Sequence, residues 1–535
     1  MKKINHSQLI AILVLTISYF FDGKTAAAFP PPHQNSLQTS ILVTSGNGVL
    51  PGCTGDGKHD DTACLQRWID KQQGGMLNLG TGVYLISSAL ISKSPITLQG
   101  SGGGNGIYNA SCNSGIRTNT PDQDVLIIQS AGTHIYDLCI DAKVKMTGGT
   151  AIRILGHASS SIVSDSYIKN QANGIEVSGT GAMGAYQNAD VILRHNTIIP
   201  AKLPQATGTV LGRASEGANT VDTRIEGNSL VCQDHMGIGM LIYDSGGALI
   251  RNNTQYGCSV GTEIYPGNNQ MVAWLYFSNT VLGDTDARHD LLIDTRSRTA
   301  AIWGLNFTGT WASNSSGSSI LIQDSASSHN ILGIHFIGHR TYSSKNQIGI
   351  EVRSGHKVPF DSGTVCSDGS SNATGISISG DAIGAAVRTT TVGNCDHNTA
   401  GQMASGIKIT TDSPNVGVFT GNDLSTTLNP IIWAPAGGAN SAAILKDNLG
   451  LDTAEKTVIA NTTTELPPNP TVLIQGSTAI KWVNGGWAGR TVTILPIEGA
   501  INFEPGGNIC SAQRVPVMHE VTAHYYSSLH CWVFH

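Results

Sequence analysis

Gly55-Asp56-Gly57-Lys58-His59-Asp60-Asp61-Thr62-Ala63-Cys64-Leu65-Gln66-Arg67-Trp68-Ile69-Asp70 is the stretch on which the reading of the fold turns. Asp60, Asp61 and Thr62 suit a helix start, because their side-chain oxygens can accept from the first orphan N–H groups. Leu65, Trp68 and Ile69 then fall at i, i+3 and i+4 and make one apolar stripe on a short helix. Gly74-Gly75 stops it. Met76-Leu77-Asn78-Leu79 alternates and Val83-Tyr84-Leu85-Ile86 is apolar, so short strands follow. A glycine turn, a one-faced helix and then many short strands suit a cap on something long and β-rich.

Gly-Asp-Gly-x-x-Asp-Asp-Thr before an apolar helix resembles the N-terminal signature of the pectate-lyase-like superfamily. The resemblance implies a right-handed parallel β-helix whose N-terminal end is plugged by that helix. It says little about the reaction. Asp56, Asp60 and Asp61 have the look of a catalytic carboxylate cluster, but Asp at a helix start ordinarily caps and shapes a turn, and that is the expectation adopted.

From Val125 onward one unit recurs: a glycine or small residue, then apolar-x-apolar. It appears as Ala151-Ile152-Arg153-Ile154, Gly174-Ile175-Glu176-Val177, Gly208-Thr209-Val210-Leu211, Gly237-Ile238-Gly239-Met240, Gly261-Thr262-Glu263-Ile264, Gly349-Ile350-Glu351-Val352, Gly375-Ile376-Ser377-Ile378 and Gly406-Ile407-Lys408-Ile409. Interleaved with it is an alternation ending near Asn, as at His195-Asn196, Asn228 and Asn252-Asn253. Self-similarity at roughly 25 to 30 residues with short strands means a β-solenoid, in which each coil buries its apolar face only by stacking on the next. Corner Asn residues suit the left-handed conformation that sharp turns demand. The pattern stops around Thr427 to Asn440. From about Leu451, alternating runs separated by Gly-rich turns predict a small antiparallel β domain, whose simplest job is to cap the open end.

The expected organisation is thus an all-β chain. Residues 1–28 form a signal peptide, 29–124 the cap and first coils, 125–450 the parallel β-helix and 451–535 the C-terminal domain. Lys2 and Lys3, the apolar run Leu9 to Phe21 and Ala26-Ala27-Ala28 carry the signal reading. Charged residues are 13% of the 535, and 63 are glycine, which favours many turns and argues against coiled coils. A net charge of −6 provides no basic field for nucleic acid. Ten cysteines suit export. Cys232 with Cys258 and Cys366 with Cys395 lie about one repeat apart, Cys53–Cys64 would pin the cap and Cys510–Cys531 the C-terminus, leaving Cys112 with Cys139.

Within the recurring unit the middle residue points outward, so equivalent residues of successive coils form columns about 4.8 Å apart. One column carries Arg153, Glu176, Gly239, Glu263 and Glu351; two residues on, another carries Tyr265, Asp294 and Arg353. Gly239 is expected to leave a gap beside Glu263. Asp234, His235, Glu263, Asp294 and Arg296 are the catalytic candidates, with Tyr243, Asp244, Tyr265 and Arg353 as substrate-binding candidates. These types serve carbohydrate chemistry. A hydrolase needs a carboxylic acid and a second carboxylate. A lyase needs a base and a cation beside the uronate carboxylate. Glu176 and Glu351 read as solvated outward residues.

The function expected is a secreted, extracellular or periplasmic, lyase that cleaves an acidic polysaccharide by β-elimination. Arg153, Arg296, Arg298, Arg353 and Lys408 would meet the substrate carboxylates. Alternatives are a glycoside hydrolase on the same scaffold and a non-catalytic glycan-binding adhesin. The motif sets of polygalacturonases (an Asp-Asp pair, Gly-His-Gly, Arg-x-Lys) and of alginate epimerases (Asp-Pro-His) are not intact. No Cys/His spacing predicts a metal centre. No cofactor is required by the sequence, and Ca²⁺ is compatible with it. The expected partner is a polysaccharide, with no nucleic acid, no membrane after signal cleavage, and a monomer or homotrimer as the assembly.

Overall fold

A computed structural model of the chain describes residues 48–102, 112–179, 188–215, 219–284, 288–343, 347–367, 372–395, 402–411, 413, 415–434 and 442–535. The expected signal peptide, 1–28, lies outside them. Each coil gives one short strand to each of three walls, and every pairing between coils is parallel. Wall 1 is a 13-stranded sheet and wall 2 a 14-stranded sheet. Wall 3 comprises an 8-stranded and a 5-stranded sheet, and a 6-stranded ladder of very short strands fills the corner between walls 1 and 2. Ile238–Ile242, Ser245–Gly246, Leu249–Arg251 and Thr254–Tyr256 make one such coil, and Val260–Ile264 returns to wall 1. This is the solenoid that the repeat predicts, in the right-handed parallel β-helix form that the resemblance implies.

Helix α1 (Thr62–Lys71) covers the first coil, burying Leu65 and Ile69 with Leu50, Leu77 and Tyr84. The acidic trio is structural. Asp60 accepts from the Thr62 N–H at 2.9 Å. Asp61 turns away from the helix to accept from Thr54 N–H at 2.6 Å and Gly55 N–H at 2.9 Å. Asp56 accepts from Lys58 and His59 N–H groups, which lower its pKa. No break falls at Val125: Met76–Asn78 and Val83–Ile86 already belong to walls 2 and 3. The wall also outlasts the sequence pattern, since Thr427–Trp433 is the last strand of wall 1. Pro430 blurs the repeat there, and an edge strand is where proline is tolerated.

Two columns explain the recurring residues. Each unit's glycine backs onto the next coil. A Cβ on Gly174, Gly208, Gly239 or Gly375 would lie 2.4–2.7 Å from the following glycine's carbonyl oxygen. The interleaved Asn forms a buried ladder. Asn196 Nδ2 donates to Asn228 Oδ1 at 2.9 Å, and Asn228 Nδ2 to Asn253 Oδ1 at 3.0 Å. The left-handed corner residue is the one before each ladder Asn: His195, Gly227 and Asn252. Phe277, Phe307, Phe336 and Phe360 stack at 4.6–4.7 Å between centroids, so the core too is columnar. All five disulfides pair as the spacing suggests.

The C-terminal sheet differs from the expected antiparallel one. Lys456–Ile459, Thr471–Gln475 and Thr491–Pro496 pair in parallel, and only Val521–Tyr526 and Cys531–Phe534 are added antiparallel. Trp487 packs on Trp433 of the last wall 1 strand, with ring centroids 4.6 Å apart.

Asn228→Ala removes four hydrogen bonds from fully buried partners. At about 1 kcal/mol net each, it is expected to cost about 3–4 kcal/mol, read as a lower thermal midpoint with disulfides intact.

Candidate active site

Strand register fixes what stands beside what on the outer face of wall 1. Arg153 pairs with Glu176, Glu176 with Val210, Val210 with Leu241, Leu241 with Glu263 and Glu263 with Leu292. Gly239 therefore leaves no gap beside Glu263; Leu241 fills that place. The slip is two residues long. Gly237 and Gly239 both fit the sequence pattern, but it is Gly239 that backs onto the next coil, against Gly261.

Charges along this face are mostly spoken for. Glu176 is buried and held by Arg153 at 3.2 Å, Arg213 at 2.5 Å and the Ser178 hydroxyl at 2.8 Å, while Arg153 also meets Asp124 at 2.5 Å. Glu351 accepts from Arg353 at 2.8 Å and Ser318 at 2.6 Å. Both glutamates are thus paired, not solvated as expected. Glu263 differs. It is only 8% exposed, lies between Leu241 and Leu292, and has no hydrogen-bond partner among the described residues. Burial pushes its carboxyl pKa up, with Arg288 and Arg296 pulling down and Asp294 pushing up.

Asp294 stands one coil on from Glu263 and two residues along. Its oxygens accept from the N–H groups of Thr295 and Ser325 at 2.8 Å, and from Gln323 Nε2 and Ser325 Oγ at 2.7 Å. Arg296 does not pair with it. The guanidinium lies over Tyr243 at 4.5 Å and Tyr265 at 5.4 Å, and donates to Tyr265 O at 2.9 Å and Gln270 Oε1 at 2.8 Å. Gln270 in turn donates to the carbonyls of Arg213 and Ser215. Arg296 and Gln270 thereby fasten together the loops that follow the wall 1 strands Thr207–Leu211, Val260–Ile264 and His289–Ile293. Burial raises the phenol pKa values of Tyr243 and Tyr265.

Asp234 and His235 lie elsewhere. Both are exposed, left-handed turn residues at the other end of the strand from Tyr243, and Asp234 pairs with Lys202. The structure thus gathers Glu263, Asp294, Arg296, Tyr243, Asp244 and Tyr265 at the C-terminal ends of successive wall 1 strands, and leaves Asp234 and His235 apart. Arg353 is two coils from Asp294, bonded to Glu351 and, at 3.2 Å, to Gln323. Sequence reasoning missed Arg288, which is exposed near Glu263, and Leu241, whose identity as a neighbour depended on register. Among the described residues, no three His, Cys, Asp or Glu side chains converge to hold a metal ion, and no helix is long and apolar enough to cross a membrane.

Residues 51–286 match the family described as rhamnogalacturonase A/epimerase, pectate lyase-like. That part of the chain, from the cap through the coil of Glu263, resembles this family. Solved structures that resemble the chain include the Dettilon tailspike protein, 13% identical over 75% of this chain and 69% of that one, TM-score 0.49. The A-module of an Azotobacter vinelandii mannuronan C-5 epimerase is 15% identical over 72% and 96%, TM-score 0.46. The catalytic unit of a Streptomyces thermodiastaticus GH87 α-1,3-glucanase is 16% identical over 80% and 70%, TM-score 0.39. No curated protein sequence matches.

Asp244 offers a test of the electrostatics. It is buried, with only the Met271 N–H near it at 3.4 Å, and burial raises its pKa to about 6. The folded state therefore binds this proton more tightly than the unfolded state. Its contribution to stability is fully present only below the unfolded pKa of about 4 and is lost as pH rises from there through about 6. Asp244→Asn is expected to match the wild type in unfolding free energy below about pH 4 and to exceed it at pH 7 by about 2–3 kcal/mol, measured by denaturant unfolding at the two pH values.

Proposed function

We propose that the chain is a secreted glycoside hydrolase that cleaves an extracellular polysaccharide on the outer face of wall 1, with Glu263 as general acid. The observation that carries the reading is a buried carboxyl, flanked by two leucines and lacking a hydrogen-bond partner among the described residues, on a face otherwise rich in paired charges. Burial raises the pKa of such a group, so it keeps its proton to higher pH than an exposed glutamate does and can give it to a departing glycosidic oxygen. Asp294, oriented by four donors, is the second carboxylate, placed to stabilise positive charge on the sugar ring and to activate water. Tyr243 and Tyr265, stiffened by Arg296 between them, offer ring faces to a sugar. Five disulfides suit an oxidising, extracellular setting.

The lyase reading ranks second. Arg153 and Arg353, two of the cations it relied on, are bonded to the chain's own carboxylates, and Arg296 is bound to carbonyls and to Gln270. Exposed Arg288 near Glu263 is the observation in its favour, since it could meet a uronate carboxylate.

Incubation with neutral and uronate-containing polysaccharides, following reducing ends and ultraviolet absorbance of unsaturated products together, separates the two. New reducing ends without absorbance are expected. Glu263→Gln is expected to lower the rate at least about 100-fold, with the fold intact by circular dichroism. Rising absorbance would move the reading to β-elimination.

A further inference from the structure

At the corner between wall 1 and wall 2, successive coils place one residue in a left-handed turn. This corner column runs Asp222, Gly247, Trp274, Gly304 and Gly333, with φ between 53° and 69°. Glycine and aspartate tolerate that conformation; a bulky aromatic side chain there is an outlier. Trp274 has φ 54° and is nonetheless 57% exposed, so burial does not explain it. Its ring reaches over the next coil at Gly304, where a Cβ would come within 3.1 Å of Trp274 Cδ1.

The surroundings extend the surface. Trp303 ends the neighbouring corner strand, its carbonyl accepting from Trp274 N–H at 2.9 Å, and is 38% exposed. Tyr276, two residues beyond Trp274 on wall 2, is 50% exposed, and Leu332 follows Trp303 in the corner ladder. Asn306 stands beside Tyr276 in register and donates to Gly304 O at 3.2 Å. Three rings therefore line two coils, about 4.8 Å apart along the axis, with an amide among them.

We infer that this corner is a second, non-catalytic carbohydrate site, at which Trp274, Trp303 and Tyr276 stack on the pyranose rings of a polysaccharide chain. Aromatic faces carry negative charge density and attract the weakly positive C–H face of a sugar, and these rigid side chains lose little entropy on binding. Strain retained at a solvent-facing residue points to use rather than to packing. Size separates a sugar chain from a second copy of the protein. Three rings that could each bury roughly 150–250 Å², here about half exposed, offer a few hundred Å², well below the ~800 Å² per partner of a stable dimer. The site lies beyond the loops that leave wall 1, so it would hold polymer beside Glu263 without touching the reacting bond.

The test uses Trp274→Gly combined with Trp303→Ala in the full chain, measured by affinity electrophoresis through gels containing alginate, polygalacturonate, α-1,3-glucan or cellulose derivatives. The wild type is expected to be retarded by at least one polymer, and the double variant at least tenfold less. Trp274→Gly alone is expected to keep or raise the thermal midpoint while weakening retardation, which a packing role for the ring would not do. Glu263→Gln is expected to lose turnover and keep retardation, so failure of the catalytic reading is distinguishable from failure of this one. Absence of retardation of the wild type on every polymer, or undiminished retardation of the double variant, overturns the proposal. So does a concentration-dependent dimer that the double variant abolishes.

Discussion

Everything in this chain depends on coils stacking in register at the parallel strand spacing of about 4.8 Å. That spacing leaves little room for a side chain near the start of several wall 1 strands, as at Gly174, Gly208, Gly239 and Gly375. Hence a glycine opens most of these strands, its missing Cβ replaced by the next coil's carbonyl oxygen. The same spacing lets an Asn amide bridge to the Asn above and lets phenylalanine rings stack face to face. Each residue is thus chosen chiefly by its equivalents one coil before and one coil after.

Columnar neighbours also decide the electrostatics of the outer face. Glu176 finds arginines along its column and in the loop beyond, and Glu351 finds Arg353 two residues along its own strand; both become parts of ion-paired clusters. Glu263 finds Leu241 and Leu292 and is left desolvated. Burial of a carboxyl is costly in a structural position, and for Glu263 it is offset only by the fields of Arg288 and Arg296. That contrast, between ion-paired glutamates and a buried Glu263 without a hydrogen-bond partner among the described residues, marks the chemistry more clearly than any cluster of residue types.

Much of the architecture was legible from residue order because the fold repeats itself. The helix cap, the coil length and the disulfide pairs all follow from local patterns or from a separation of one turn. Register was less legible, since Gly237 and Gly239 offer the same pattern two residues apart and only the adjoining coil distinguishes them. The Asn corners were read one residue late: the left-handed residue precedes each ladder Asn, which turns inward. Ion pairs such as Arg213 with Glu176 join residues 37 apart through long side chains, and no spacing rule anticipates them. By pattern Trp274 is only the first residue of an alternating unit, Trp274 to Asn279, and its meaning lies in its backbone conformation; nor does alternation alone give the strand direction of the C-terminal sheet.

The direct test is the titration of Glu263 itself. Infrared difference spectra between wild type and Glu263→Gln isolate one protonated carboxyl band, which can be followed as pH rises. A stack that sets this side chain between Leu241 and Leu292 predicts a band that persists above the ordinary glutamate midpoint of about 4.3. Disappearance of the band at or below that pH would mean that Glu263 is solvated or paired, and would contradict both the register and the acid assigned to it.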